Sequence, residues 1–426
     1  MLGSDDHGPR KSSMTILALN QYYLPGYKAG GPIRTLANMV ERMGDEFRFK
    51  IIAGDRDSGD VAPYPSARPG EWQAVGKAEV YYLAPSQRSI WTIRRLLRSV
   101  DYDVLYLNSF FSFWYTIIPL ALRRLGWVPR RPVVVAPRGE FSPGALSLKR
   151  AKKKTFIVMA RAMGLYRGVL WQASSDLEVE DIRRWFGPTA RIQVAPDIPD
   201  RVDVEEVQGR QKKEPGRLRA VFLSRIAEKK NLLWALDVLQ AIQGTIEFDI
   251  YGAITEPAYW EKCCKVISDM PANVCVRYKG VVPHEMVRSI FGVYDVFLFP
   301  TLGENFGHVI PEALSAGCPV VISDTTPWRG LEAAGVGWDL PLSDRAAFVH
   351  VLQRLVDMDE EEHARWRSRA RQFGADRMDA SDTIAANEDL FRSAVFDQEK
   401  ATEVRVRGNG GRAREVNLAR RPPSRV

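Results

Sequence analysis

Short apolar runs alternate with amphipathic stretches along most of this chain, and the runs are continuous rather than every second residue. Strands buried on both faces read that way, as in parallel sheets covered by helices. The first half predicts strands at Thr15–Leu19, Phe49–Ala53, Val80–Leu83, Val104–Leu107, Val133–Ala136, Trp171–Ser174 and Ile192–Ala195. Helical patterns intervene at Pro32–Arg42, Ile90–Ser99, Ser112–Leu125, Leu148–Met163 and Asp176–Phe186. A polar segment, Asp203–Gly216, interrupts the series. It then restarts, with strands at Leu218–Leu223, Glu247–Tyr251, Val274–Lys279, Asp295–Pro300 and Pro319–Ser323 and helices at Leu232–Ile242, Pro257–Ser268, Glu285–Gly292 and Pro311–Ala316. Three more helical stretches follow: Asp344–Met358, Glu360–Phe373 and Ser381–Val395.

Strand–helix alternation of this kind predicts an α/β protein with two Rossmann-like, doubly wound domains. The expected plan is a flexible N-terminus (1–13), an N-terminal domain (14–203), a linker (204–216) and a C-terminal domain (217–375). A C-terminal helix (376–396) packing back on the N-terminal domain and a disordered basic tail (397–426) complete it. Open α/β sheets bind ligands off the carboxyl ends of their strands, so two such sheets imply a cleft between the domains.

Composition adjusts this picture little. The 426 residues are 45% hydrophobic, ample for two cores. Cys263, Cys264, Cys275 and Cys318 show neither metal-ligand spacing nor a disulfide framework, which implies a reducing, cytoplasmic setting. The first residues have no apolar core and do not form a signal peptide. The apolar segment Val104–Leu122 is broken by Asn108, Ser109, Ser112, Thr116 and Pro119, and reads as strand plus helix rather than a membrane span.

The net charge of +8 is unevenly placed. Lys149–Arg167 holds seven basic residues and no acidic one, mixed with an apolar run. Such a helix suits either a solvated end over a core stripe or peripheral contact with an anionic membrane. The tail from Ala401 carries seven arginines against Glu403 and Glu415.

Candidate chemistry concentrates at strand ends. Thr301–Val321 places Glu304 on a loop after a strand, punctuated by Gly303 and Gly307, and Glu312 in the first turn of the next helix. Either glutamate alone could be a solvated or dipole-pairing residue. Around an anion-ready helix start, the pair suits a phosphorylated ligand that also carries hydroxyls. Gly30-Gly31 opens the first helix, a tight turn or a close approach of backbone amides to an anion. It is not a dinucleotide fingerprint. Arg225 and Lys230, five apart across a strand-to-helix turn, can converge on one diphosphate. Arg138 and Glu140 follow the fifth strand; Arg138 either bridges loops or meets an acceptor or leaving group. Tyr251-Gly252 and Lys279-Gly280-Val281-Val282 end two further strands, where glycine lets a flat base lie against backbone.

These segments together resemble a family 4 glycosyltransferase of the GT-B fold, over about Thr15–Val395. The likeness rests on Arg225…Lys230, Gly280, the Gly30-Gly31 loop and, most specifically, Glu304-Asn-Phe-Gly-His-Val-Ile-Pro-Glu312 with the Ala-Leu-Ser-Ala-Gly-Cys-Pro-Val-Val that follows. The resemblance implies a retaining enzyme that moves a sugar from a nucleotide diphosphate to an acceptor hydroxyl, with no cofactor and no metal. Arg225 and Lys230 would then neutralise the diphosphate, and Glu304 would grip the sugar hydroxyls. Backbone at Asn305, Phe306 and Gly307 would hold sugar and phosphate. Glu312 would bind the ribose, the Gly30-Gly31 amides would face the diphosphate, and the base would rest near Tyr251, Val281 and Val282. The sequence departs from the family where many relatives carry a His, at Arg138-Gly139-Glu140. His308 is expected to matter through its backbone more than its ring. The acceptor expected is a glycan or lipid-linked glycan of bacterial surface-polysaccharide assembly.

Three alternatives remain open at this stage. An inverting transferase would need a base in the first domain, for which Glu140 is the candidate. A nucleic-acid binder is suggested by the basic balance, although no such module appears and nucleic acid is not the expected partner. A silent sugar-binding homologue is the third.

Overall fold

A computed structural model of the chain describes residues 13–147, 150–200, 211–378 and 380–396. The expected flexible N-terminus, the first part of the linker, Lys149 of the basic cluster and the basic tail lie outside the described residues.

The N-terminal sheet contains β1 (Thr15–Leu19), β2 (Arg48–Gly54), β3 (Trp72–Val75), β4 (Ala78–Leu83), β5 (Val104–Leu107), β6 (Val133–Val135), β7 (Leu170–Ala173) and β8 (Ile192–Val194). Their order is β3-β4-β2-β1-β5-β6-β7-β8, and every pairing is parallel except β3 with β4. Every residue of β1 and β5 is buried, because helices cover both faces. The C-terminal sheet contains β9 (Arg217–Leu223), β10 (Thr245–Tyr251), β11 (Val274–Gly280), β12 (Val296–Phe299), β13 (Val320–Ser323) and β14 (Gly337–Leu340). It runs β11-β10-β9-β12-β13-β14, parallel throughout.

This order decides where ligands can sit. Strand order reverses between β1 and β5 in one sheet and between β9 and β12 in the other. Connections leave such a pair toward opposite faces, opening a crevice at the carboxyl ends. The loops after β1, β9 and β12 carry Gly30-Gly31, Arg225 with Lys230, and Glu304 respectively.

Two strands escape the apolar pattern. β3 is a four-residue edge strand with no fully buried side chain, turned onto β4 through Gly76, whose φ is +57°. β14 is short and begins at a glycine, so its signal is carried mainly by buried Trp338. The segment Val104–Leu122 is β5 followed by a π-helical turn (Phe113–Ile117) and a helix (Ile118–Arg124). No helix among the described residues is long and apolar enough to cross a membrane.

The last helix, over residues 381–396, returns to the N-terminal domain. Its Phe391 meets Tyr106 edge-on at 5.4 Å between ring centres and Phe47 at 6.0 Å. Leu390 and Ala394 join the same buried cluster as Ile16 and Phe49.

Candidate active site

A cavity of about 300 Å³ lies between the domains. Six basic residues line it (Lys28, Arg34, Arg138, Arg225, Lys229, Lys230) against three acidic ones (Asp197, Glu304, Glu312), so its field favours an anionic ligand.

The C-terminal domain supplies Arg225, Lys229, Lys230, Glu304 and Glu312. After β9 the chain makes a 3-10 turn, Glu228–Lys230, and Asn231 takes the left-handed conformation before the helix Leu232–Leu239. The Asn231 amide donates to the Pro300 carbonyl (2.9 Å), tying this turn to the end of β12. The tie brings Lys230 Nζ to 2.6 Å from Glu304 Oε1, with the ammonium 5.4 Å from the Phe299 ring centre. Thr301 Oγ1 donates to the same Glu304 oxygen (2.9 Å). Burial opposes the charge on Glu304, but Lys230 and Lys229 hold its carboxyl below the ordinary range. Burial lowers the Lys230 ammonium from its ordinary range, Glu304 pulls it back up, and nearby Arg225 and Lys229 lower it further.

The sequence places Glu312 near a helix start, and the helix spans Val309–Ser315 with Glu312 in its first turn. Its carboxyl is pushed up to about 7 by burial, with His284 and Arg34 pulling it back and Asp200 adding to the rise. His284 bridges Asp200 Oδ2 through Nε2 (2.7 Å) and faces Glu312 Oε1 through Nδ1 (3.9 Å). Arg34 reaches the same Asp200 oxygen at 3.0 Å. Gly252 must be glycine: a Cβ there would lie 1.8 Å from the Ser224 carbonyl oxygen.

The N-terminal domain supplies backbone and a buried relay. Gly30 has φ +71°, and a side chain there would begin 3.6 Å from Arg225 Nε. Its backbone thus faces the diphosphate candidates across the cleft. Arg138, with φ +55°, is pinned on all sides. It donates to Asn108 Oδ1 (2.6 Å), to the Tyr106 hydroxyl and to Asp197, and its side chain is 7% exposed. Behind it, Tyr106 donates to Gln172 Oε1 (2.7 Å), and Gln172 Nε2 donates to Asn387 Oδ1 on the returning helix (3.1 Å). Ahead of it, Thr35 Oγ1 donates to Asp197 Oδ2 (3.1 Å) and lies 2.9 Å from His308 Nε2. Thr35 has one proton and gives it to the carboxylate, so His308 Nε2–H donates to Thr35 and Nδ1 is left as the acceptor. Burial lowers His308 to about 4, which keeps the ring neutral.

Thirteen residues were singled out by number as catalytic, donor-side or acceptor-side, together with Gly307. The cavity is lined by Gly30, Gly31, Arg138, Arg225, Lys230, Val281, Val282, Glu304, Asn305, Phe306, Gly307 and Glu312. It is not lined by the other two. Tyr251 turns into the core, its hydroxyl 3.0 Å from that of Tyr294, and Gly252-Ala253 take its place at the cleft wall. Glu140 is buried behind the cleft, accepting from Ser109 Oγ (2.9 Å) and the Phe110 and Phe111 amides. It fastens the loop after β5 and is not placed to act as a base. Arg138 is held by Asp197 rather than free for an acceptor. His308 also corrects the expectation, since its ring makes the contact across the domains. Sequence reading missed Arg34, Thr35, Asp197, Asp200 and His284. Asp197 did have a signal, standing just past the carboxyl end of β8.

Residues 217–358 match the family model described as Glycosyl transferases group 1. This match covers most of the C-terminal domain. The whole molecule superposes on HepE from Anabaena, in complex with UDP and glucose, with a TM-score of 0.65 at 16% identity, covering 89% of this chain and 100% of that one. Sucrose-phosphate synthase from Thermosynechococcus elongatus gives 0.67 at 14% identity, covering 89% and 98%. These likenesses establish the two-domain GT-B fold. In sequence, the chain is 27% identical to a phosphatidyl-myo-inositol mannosyltransferase of Mycobacterium leprae over 63% of this chain and 67% of that protein. It is 30% identical to the amylovoran biosynthesis glycosyltransferase AmsK of Erwinia amylovora over 32% of this chain, and the match spans only 36% of that relative's length. A 101-residue segment is 37% identical to the O-antigen chain mannosyltransferase B of Escherichia coli, 23% of this chain and 26% of that one.

Proposed function

We propose that the protein is a retaining glycosyltransferase. It would move a sugar from a nucleoside diphosphate donor to a hydroxyl of a glycan or lipid-linked acceptor, in the cytoplasm and in surface-polysaccharide synthesis. The observation that carries this reading is the meeting of Arg225, Lys230, Glu304, Glu312 and the Gly30-Gly31 backbone around one interdomain cavity. Relatives named for amylovoran and O-antigen synthesis support the pathway class.

In this reading Arg225 and Lys230 stabilise the charge that grows on the diphosphate as the bond from its oxygen to the sugar C1 breaks. They supply this counter-charge without a metal. Glu304, fixed by Lys230 and Thr301, orients the donor sugar through its hydroxyls, and Glu312 accepts from the ribose. Asn305 packs its Cβ and Oδ1 side against Gly139 across the seam, and its buried Nδ2 has no hydrogen-bond partner, leaving it to donate to a ligand. The acceptor oxygen attacks C1 from the face the diphosphate leaves, and its proton passes to the departing phosphate oxygen. Two placements favour retention over inversion: Glu140, the base named for inversion, lies outside the cavity, and Asp197, the N-terminal carboxylate that lines it, is paired with Arg138. A thermal-shift screen of nucleotide sugars identifies the donor. NMR of the product anomer with that donor then tests the stereochemistry, and an inverted anomer would sink the retaining reading.

A further inference from the structure

One face of the N-terminal domain is left without a role by the transfer reaction. Trp91, at the start of the helix Ile90–Ser99, and Trp127, after the helix Ile118–Arg124, stack with ring centres 6.1 Å apart and planes 10° apart. The stack is not buried: Trp91 is 66% exposed and Trp127 43%. Ile90 and Leu125 beside them are 42% and 63% exposed. The end of the helix Arg150–Ala162 borders this face, because Arg124 Nε lies 3.9 Å from where a side chain at Gly164 would begin. There Val158, Met159 and Met163 are also exposed.

The charge around this apolar surface is mainly positive, with the exposed Asp101 at its edge paired to Arg131. From Val104 to Ser175 the only acidic residue in the sequence is Glu140, which is buried, against twelve basic residues. Arg95, Arg98, Arg124, Arg161 and Arg167 are exposed around the patch. A second copy of this face would meet it with like charge. A nucleic acid would satisfy the arginines and leave Ile90, Leu125 and Met163 in water. An anionic bilayer answers both features, since indole rings settle at the headgroup level and arginines pair with lipid phosphates.

We propose that this face docks the protein onto an anionic lipid bilayer, with Trp91 and Trp127 inserted at the headgroup level. The inference does not depend on the donor chemistry. Full-length protein is sedimented with phosphatidylcholine vesicles, with and without phosphatidylglycerol. The wild type is expected to pellet with the anionic vesicles only. Trp91→Ser/Trp127→Ser should weaken that binding by about ten-fold. Arg95→Glu/Arg98→Glu/Arg124→Glu, whose changes are confined to exposed positions, should do the same with an unchanged melting temperature.

Wild-type protein that stays in the supernatant overturns the proposal. So does wild-type-like pelleting of either variant, whichever other basic segment carries it. A fall in molar mass by light scattering in the tryptophan variant, with vesicle binding intact, would reassign the face to contact between copies.

Discussion

The C-terminal domain edges the cleft with side chains whose charge is directed into it: Arg225, Lys230, Glu304 and Glu312. The N-terminal domain edges it with the Gly30-Gly31 backbone and with cations already paired inside that domain: Arg138 with Asp197, Lys28 with Asp60 and Arg34 with Asp200. One half is arranged to bind charge, the other to hold a shape against it. The cost of losing a residue should therefore differ in kind between the halves. C-terminal substitutions should remove turnover from a folded protein, and N-terminal ones should loosen the fold or the closure first.

The largest effect is expected at Lys230. Lys230→Ala removes a cation from the diphosphate position and leaves Glu304 to Thr301 alone. kcat/KM should fall by on the order of a thousand-fold or more, about 4 kcal/mol, in a protein that still folds but melts lower because Glu304 is left buried without its cation. Steady-state kinetics beside a thermal melt checks both parts; near-wild-type turnover would break the comparison at its base.

Next is Arg138→Met. It strands Asp197 in a buried position, a change that costs about 3–5 kcal/mol of stability in comparable pairs. Urea unfolding should show that loss, while turnover per folded molecule falls far less than in Lys230→Ala. Unchanged stability with abolished turnover would instead make Arg138 a ligand-binding group.

The same contrast explains what was legible beforehand. The C-terminal constellation lies within two loops, so spacing alone brings Arg225 to Lys230 and Glu304 to Glu312. The relay from Asn387 through Gln172, Tyr106, Arg138, Asp197 and Thr35 to His308 joins residues up to 273 positions apart. Each is an ordinary polar residue in its own segment, and only the packing of two sheets and a returning helix assembles them. Tyr251 was misread for a local reason. The last residue of a strand still obeys the strand's alternation, and here that points its ring toward Tyr294 rather than the cleft. The domain order was legible because buried parallel strands are apolar throughout. β3 and β14 were not, because an edge strand and a glycine-led strand lack that run.

A third, smaller effect concerns Glu312. Its folded pKa of about 7 stands above the ordinary 4.5, so the folded state binds its proton more readily than the unfolded chain. The stability this group contributes is full below about pH 4.5 and is lost as pH rises through about 7. Glu312→Gln should flatten that dependence and be on the order of 2 kcal/mol more stable than wild type at about pH 8 without donor. Urea midpoints at about pH 5 and about pH 8 measure it. Parallel profiles for the two proteins would show that Glu312 is not the group responsible. The same variant should bind nucleotide about ten-fold more weakly, because a neutral amide accepts from ribose hydroxyls less strongly than a carboxylate. Stability gained where affinity is lost is the pattern of a buried group kept for function.

The smallest and most discriminating change is Thr35→Val. It keeps the shape, leaves Asp197 on Arg138, and removes only the hydroxyl that connects Asp197 to His308 across the cleft. One partly satisfied hydrogen bond is worth about 1 kcal/mol. If the N-terminal relay serves to hold the domains together, that loss belongs to the closed state. The donor KM should then rise by about five-fold, kcat should change little, and the melting temperature should shift by only a few degrees. A drop in kcat approaching that of Lys230→Ala would have a different meaning. His308 would then be held by Thr35 for the reaction itself, with Nδ1 as its working atom, and the N-terminal domain would supply chemistry as well as shape.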